Sequence, residues 1–134
     1  MPQPVRIAML GSGFVANFYM QGLDNVNGQE VVVNFGLDRD GAAAFAKQWK
    51  IPESSSNLAR LIERDDIDLY IIALPNEAHM PVSVLLSQLK RNQVCTKPLG
   101  RQRDEAKKML KAAKKSGKMH GYAETEVFAP AVVK

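Results

Sequence analysis

Three small residues near the start of the chain have the spacing of a phosphate-binding loop. Gly11, Gly13 and Ala16 match the G-x-G-x-x-G/A pattern of dinucleotide sites. The first glycine permits a tight turn, the second lets a diphosphate approach the backbone, and Ala16 lets a helix pack against its strand. The amides that begin such a helix attract anions. The pattern therefore predicts a diphosphate site, and an ordinary strand-to-helix turn is the alternative.

A carboxylate lies where a dinucleotide site needs one. Asp38 closes the second predicted strand, 38 − 13 = 25 residues after the second glycine. There it can accept hydrogen bonds from the ribose hydroxyls of adenosine and repel a 2′-phosphate, which favours NAD over NADP. Arg39 keeps NADP open, because an arginine can pair with that phosphate. The alternative role for Asp38 is the N-cap of the next helix.

A polar segment, Pro75-Asn76-Glu77-Ala78-His79, follows an unbroken apolar run. In an open parallel sheet, ligands bind at the carboxyl ends of the strands. We therefore expect Asn76 and His79 to reach the ribose of a nicotinamide. His79 could equally face solvent from the first turn of a helix.

Hydrophobic periodicity predicts the elements that position these residues. Apolar runs predict strands over residues 5–10, 30–37, 69–74, 93–96 and 119–122, with a short strand or loop near 54–56. Segments with helical spacing lie between them. Such alternation predicts a doubly wound parallel sheet in a three-layer α/β/α arrangement, the Rossmann fold.

Apolar residues at helical spacing predict the buried faces of three helices. We expect these sets to point inward: Val15, Phe18, Tyr19, Leu23 and Val26 in the first helix, Val82, Leu85, Leu86 and Leu89 in the fourth, and Ala106, Met109, Leu110 and Ala113 in the last.

Composition excludes several classes of protein. The 134 residues are 46% apolar and 24% charged, which is typical of one globular domain. No run approaches a membrane span or a secretory leader, and the single Cys95 gives no disulfide or metal cluster. We therefore expect a cytoplasmic protein with no membrane contact and no metal.

The basic charge is confined to one helix. Residues 101–118 hold eight Lys or Arg and two Asp or Glu, whereas the whole chain is only +4. No aromatic residue interleaves with these lysines to stack on bases, so we interpret them as a solvated face and expect no nucleic-acid partner.

The segment Thr96-Lys97-Pro98-Leu99 carries a resemblance to a known family. Together with the glycine loop, Asp38-Arg39, the segment 75–79 and Gly121-Tyr122, it resembles the glucose–fructose oxidoreductase, inositol dehydrogenase and MocA family. The resemblance covers essentially the whole chain. It implies a nicotinamide-dependent oxidoreductase acting on a sugar, cyclitol or related polyol. It also implies a second α/β domain that carries much of the substrate site and often the contacts of a homo-oligomer.

The resemblance also assigns roles to single residues. Lys97 matches the lysine of the family's Glu-Lys-Pro motif, which implies that it orients the substrate hydroxyl and stabilises alkoxide charge. Thr96 departs from the motif, so the glutamate is missing. The predicted cofactor contacts are Gly11, Ser12, Gly13, Phe14, Val15, Asp38, Arg39, Leu74, Pro75, Asn76, His79, Lys97 and Pro98.

These inferences give an expected organisation. We expect a domain that binds NAD, with NADP still open, over residues 1–122, and the start of a linker and helix over 123–134. No residue matches the family's partner aspartate and histidine, so we expect cofactor binding without turnover. The alternative is a stand-alone regulatory module that senses NAD(H).

Overall fold

A computed structural model describes residues 2–123 of the chain. Strands and helices alternate in the predicted order, which is thereby confirmed. The elements are β1 (Val5–Leu10), α1 (Phe14–Leu23), β2 (Gln29–Phe35), α2 (Arg39–Trp49), β3 (Glu53–Ser55), α3 (Leu58–Ile62), β4 (Leu69–Ile72), α4 (Asn76–Gln88), β5 (Gln93–Thr96), α5 (Arg103–Ser116) and β6 (His120–Ala123). The predicted linker lies outside the described residues, apart from Ala123, which ends β6.

The six strands form one parallel sheet in the order β3-β2-β1-β4-β5-β6. This is the Rossmann fold that the sequence predicts. Leu10 pairs with Ile72, and Ile72 pairs with Cys95, so β1, β4 and β5 end level with one another. The loops after these strands therefore share one edge of the sheet.

Alternating side chains of the strands fill two hydrophobic cores, one on each face of the sheet. On one face Ile7 and Met9 pack with residues of α1 and α2. On the other face Ala8 and Leu10 pack with residues of α3, α4 and α5. The sheet is therefore the middle of three layers.

The predicted inward face of α1 is partly wrong. Val15, Phe18 and Val26 are 40%, 53% and 52% exposed. The buried residues are Ala16 and Met20, with Tyr19 and Leu23 packed beside them. Small Ala16 lets the helix approach the sheet closely, and this contact sets which face turns inward.

The predicted buried faces of α4 and α5 are also partly wrong, at fewer positions. Leu85 and Leu89 in and after α4 are 38% and 39% exposed, and Leu110 of α5 is 49% exposed. Ser83 and Ser87 are buried in their place in α4, while Met109 is buried in α5 as predicted. The lysines of α5 are all exposed. Among the described residues, none of the helices combines the length and apolar character needed to cross a bilayer.

Candidate nucleotide-binding site

A cavity of about 400 Å³ opens at the carboxyl edge of the sheet, between the ends of β1, β2 and β4. Nine of the predicted cofactor contacts line it: Gly11, Ser12, Gly13, Phe14, Val15, Asp38, Leu74, Pro75 and Asn76. Gly36, Leu37, Gly41 and Ala73 also line it and were not predicted. The structure therefore brings most of the predicted set together around one open space.

A second groove, of about 600 Å³, lies between α4 and α5 and is lined mainly by aliphatic and lysine side chains. It is on the outer surface of two helices, away from the strand ends. Its lining residues belong to α4 and α5, apart from Lys90, which follows α4. We therefore place the candidate site in the smaller cavity, where the backbone geometry suits an anion.

Gly11 and Gly13 have different roles in the loop that lines the cavity: the first permits a close backbone contact, and the second leaves space open. Gly11 has φ +121°, and a Cβ there would overlap the carbonyl oxygen of Ala73. Gly11 is therefore required for the close approach of β1 to the end of β4. A Cβ on Gly13 would meet no atom within 4 Å. The space beside Gly13 is thus available to a ligand.

The amino end of α1 supplies the polar groups of the cavity. Gly13 is the N-cap in extended conformation, and no side chain caps the helix. The first amides of an α-helix have no partner within the helix, so those of Phe14, Val15 and Ala16 are free to bind an anion. The helix dipole adds partial positive charge at the same place.

Sequence reasoning missed Asn34, which holds this loop from below. The Asn34 side chain is fully buried and its amide nitrogen donates to the carbonyl oxygens of Met9 and Gly11, at 3.1 and 2.7 Å. Its oxygen accepts a hydrogen bond from the Ser12 hydroxyl at 2.8 Å. The available signal was a polar residue between the apolar residues Val33 and Phe35 of β2.

Replacing Asn34 with leucine is expected to destabilise the fold and the loop. The change removes three side-chain hydrogen bonds, to the Met9 and Gly11 carbonyls and from the Ser12 hydroxyl, and buries an apolar group against them. The expected loss is roughly 3 kcal/mol in free energy of unfolding. Urea denaturation measures it. Asn27→Leu is the control, because Asn27 is exposed. Equal stabilities of the two variants would contradict this role for Asn34.

Asp38 takes the N-cap role that the sequence offered as an alternative, and it also faces the cavity. Its Oδ2 accepts a hydrogen bond from the amide of Gly41 at 3.1 Å, so it is the N-cap of α2. The same residue lines the cavity. Leu37 beside it is 81% exposed, since β2 ends at Phe35 and not at Leu37 as predicted.

Four predicted contacts lie outside the cavity lining. Arg39 is exposed at the first residue of α2. Lys97 and Pro98 are exposed after β5, at the same edge of the sheet as the glycine loop. Strands are spaced by about 4.8 Å, so the end of β5 lies roughly 10 Å from that of β1. The Lys97 amine has no hydrogen-bond or ion-pair partner among residues 2–123.

His79 is the fourth, and its placement corrects the prediction. It is 1% exposed, so the interpretation in which it faces solvent is wrong. Its ring nitrogens lie 2.6 Å from the oxygen of Pro98 and 2.8 Å from that of Leu74. Neither nitrogen is available to a ribose in this arrangement, because backbone oxygens occupy both.

Thr96 stands where the family motif has glutamate. It is 2% exposed, and its hydroxyl donates to the carbonyl oxygen of Ile72 at 2.9 Å. The side chain therefore ties the end of β5 to β4. It places no carboxylate beside Lys97.

The comparison with protein families decides the identity of the fold. The model of the Gfo/Idh/MocA oxidoreductase family, with an NAD-binding Rossmann fold, matches residues 5–124. The chain belongs to this family. Its Rossmann domain is thus the NAD(P)-binding domain of a Gfo/Idh/MocA protein.

Relatives of this Gfo/Idh/MocA chain include two dehydrogenases that match most of its length. A 4-carboxy-2-hydroxymuconate-6-semialdehyde dehydrogenase from Sphingobium sp. is 25% identical over 94% of the chain and 40% of its own length. A scyllo-inositol 2-dehydrogenase (NADP+) from Bacillus subtilis is 23% identical over 94% of the chain and 38% of its own length. The chain spans well under half of these relatives.

Solved structures show the same fold. The myo-inositol 2-dehydrogenase of Lactobacillus plantarum has a TM-score of 0.86 at 21% identity, over 96% of this chain and 38% of its own. A levoglucosan dehydrogenase, solved with NADH and levoglucosan, has a TM-score of 0.89 at 24% identity, over 97% of this chain and 37% of its own. The likeness of fold thus extends through the described Rossmann domain.

Cys95 lies in β5, within the hydrophobic core, and is expected to be chemically inert in the native protein. It is fully buried, and burial raises the pKa of its thiol to about 12. The reactive thiolate is therefore scarce at neutral pH. Mass spectrometry after iodoacetamide treatment should show no alkylation of native protein and full alkylation in urea. Equal alkylation rates in the two conditions would contradict this placement.

Proposed function

We propose that the chain is the cofactor-binding part of a dehydrogenase that transfers a hydride between a nicotinamide dinucleotide and a sugar, cyclitol or related polyol. We also propose that residues 1–122 bind the dinucleotide without turnover on their own. The observation that carries the proposal is the open cavity over the free amides of α1. Family membership and relatives that act on inositol or levoglucosan support the substrate class.

In this proposal the diphosphate lies over Gly13 and the amides of Phe14 and Val15. The adenosine ribose is held by Asp38, next to the exposed Leu37. The nicotinamide lies toward Asn76 and the end of β4. This order follows from the sheet, because β2 lies on one side of β1 and β4 lies on the other.

Lys97 has the proposed catalytic role, and its position supports this. It lies at the carboxyl end of β5, next to β4 in the sheet and on the nicotinamide side of the cavity. When it is bound, the nicotinamide supplies hydride chemistry at its C4 atom. The lysine ammonium would orient the substrate hydroxyl and stabilise negative charge on its oxygen.

Cofactor binding tests the proposal directly. Titration of NADH against the purified chain, followed by nicotinamide fluorescence or calorimetry, should give saturable binding to one site. The absence of binding at millimolar NADH and NADPH would contradict the proposal. Lys97→Ala should bind NADH as the starting chain does, because the lysine does not line the cavity.

One observation favours a second candidate function, a regulatory domain that senses NAD(H) without chemistry. The family's glutamate is replaced by Thr96, whose hydroxyl bonds Ile72 instead of tuning the lysine. Neither candidate predicts turnover by this chain alone, so the test uses the longer dehydrogenase of which the chain is proposed to be the cofactor-binding part, incubated with NAD⁺ and a panel of sugars and cyclitols. Formation of NADH that depends on the polyol would exclude a sensor.

Asp38→Ala is expected to weaken NAD binding about tenfold while NADP binding changes less, because the lost carboxylate contacts only an unphosphorylated ribose. Loss of the α2 cap should also cost about 1 kcal/mol of stability. Calorimetric titration with both cofactors measures this. Asp40→Ala is the control, since Asp40 lies in the first turn of α2 but does not line the cavity. A starting preference for NADP would refute this role for Asp38.

A further inference from the structure

The buried ring of His79 bridges two loops at the carboxyl edge of the sheet. His79 lies in the first turn of α4 and is 1% exposed. Nδ1 lies 2.6 Å from the carbonyl oxygen of Pro98, and Nε2 lies 2.8 Å from that of Leu74. One ring thus contacts the loop after β5 and the loop after β4.

Two of the three polar neighbours of the ring are carbonyl oxygens, which only accept, and the third is the Cys95 thiol at 3.4 Å from Nδ1. The two short contacts constrain the protons of the ring. A neutral imidazole has one N–H, so its other nitrogen would present a lone pair to an oxygen at less than 3 Å. A doubly protonated ring donates to both oxygens. The short contacts are typical of charge-assisted hydrogen bonds.

The groups around the ring are compatible with a cation held by carbonyl dipoles. Cys95 Sγ lies 3.4 Å from Nδ1, and its burial keeps the thiol neutral. Within residues 2–123 no carboxylate forms an ion pair with the ring, since Glu105 of α5 pairs with Arg101 and Glu77 of α4 is exposed. In this arrangement the carbonyl dipoles of Pro98 and Leu74 face the charge from both sides of the ring.

We propose that His79 is a positioning residue, present as a buried imidazolium that ties the Lys97-Pro98 segment to the rim of the dinucleotide cavity. One anchor, Leu74, lines the cavity. The other anchor, Pro98, directly follows Lys97. The ring therefore sets the distance between Lys97 and the end of the cavity where we place the nicotinamide. The role of Lys97 rests on the proposed function, whereas the state of the ring does not.

The protonation state is measured on the ¹⁵N-labelled chain without cofactor. Two-bond ¹H–¹⁵N spectra at neutral pH separate the two nitrogens of a neutral ring widely and bring those of a cation together. His79 should give the cationic pattern. His120 is the internal control, because burial lowers its pKa and it should give the neutral pattern. A neutral pattern for His79 would overturn the proposal, whether or not NADH binds.

The positioning role is measured with His79→Phe, which keeps an aromatic ring at this position and removes both ring nitrogens. With NADH bound, nuclear Overhauser contacts between the Lys97 side chain and the nicotinamide ring should be lost. NADH affinity should change by less than about threefold, because His79 does not line the cavity. Retained contacts would overturn the positioning role.

A matched variant separates this role from general packing. His120→Phe removes the other histidine, whose Nε2 lies 3.0 Å from Ser83 Oγ and which does not touch the loop carrying Lys97. It should keep the contacts between Lys97 and the nicotinamide. Loss of these contacts in both variants would show a packing effect and refute a specific role for His79. If His79→Phe does not fold, the ring spectrum of the unaltered chain decides the proposal.

Discussion

Gly13→Val is expected to abolish NADH binding at concentrations that saturate the unaltered chain. A Cβ at Gly13 meets no protein atom within 4 Å, and the residue lines the cavity at the start of α1. An isopropyl group would therefore occupy the space proposed for the diphosphate. An overlap worth roughly 2–3 kcal/mol corresponds to about a 100-fold weaker Kd. Fluorescence titration with NADH measures this change.

The fold of the Gly13→Val variant should be preserved, since the new side chain has open space around it. Gly22→Val is the matched control, because Gly22 lies in the same helix and a Cβ there also meets no atom within 4 Å. It does not line the cavity, so NADH affinity should stay within about twofold of the starting value. Unchanged binding by Gly13→Val would place the diphosphate elsewhere.

Gly11→Ala is expected to destabilise the whole domain. Its φ of +121° is open almost only to glycine, and the added Cβ would lie 2.7 Å from the carbonyl carbon of Ala73. Backbone strain of about 1–3 kcal/mol adds to a similar cost of overlap, for a total of roughly 2–6 kcal/mol. Urea denaturation monitored by circular dichroism should show this loss in free energy of unfolding.

Gly28→Ala isolates the strain from the overlap. Gly28 also has a positive φ, +81°, but a Cβ there meets no atom within 4 Å. Its replacement should therefore cost only the strain, about 1 kcal/mol. If the two alanine variants were equally stable, the contact between the ends of β1 and β4 would not be the reason for glycine at position 11.

The order of strands and helices could be predicted because each element carries its own local pattern. The run Leu69–Leu74 is apolar on both faces, as a central parallel strand must be. Gly11 and Gly13 indicate the turn between β1 and α1, because glycine is the residue type that such a tight turn favours. Asn57, a residue type typical of N-caps, precedes α3, and its side chain accepts a hydrogen bond from the Arg60 amide.

The orientation of α1 could not be predicted because apolar residues surround much of the helix. Phe14, Val15 and Phe18 are as hydrophobic as the residues that are buried, yet they are exposed. The buried face is set by small Ala16 against the sheet, a tertiary contact that periodicity does not report. Phe14 and Val15 line the cavity instead.

Sequence reasoning also did not assign the side chains that hold the loops of the site in place. Asn34 and His79 act through backbone carbonyls of distant segments, which carry no side-chain signature. The Asn34 amide nitrogen donates to the carbonyl oxygen of Gly11, and His79 Nδ1 lies 2.6 Å from the carbonyl oxygen of Pro98. Predictions from motifs therefore found the residues around the cavity and missed one of those that hold its loops.

The most direct test of the central claim is a map of backbone amide shifts in the ¹⁵N-labelled chain during titration with NAD⁺. We predict that the amides of Gly13, Phe14 and Val15 shift most and saturate together, since they are the groups proposed to bind the diphosphate. Saturable shifts confined to the groove between α4 and α5, with those three amides unchanged, would contradict the account.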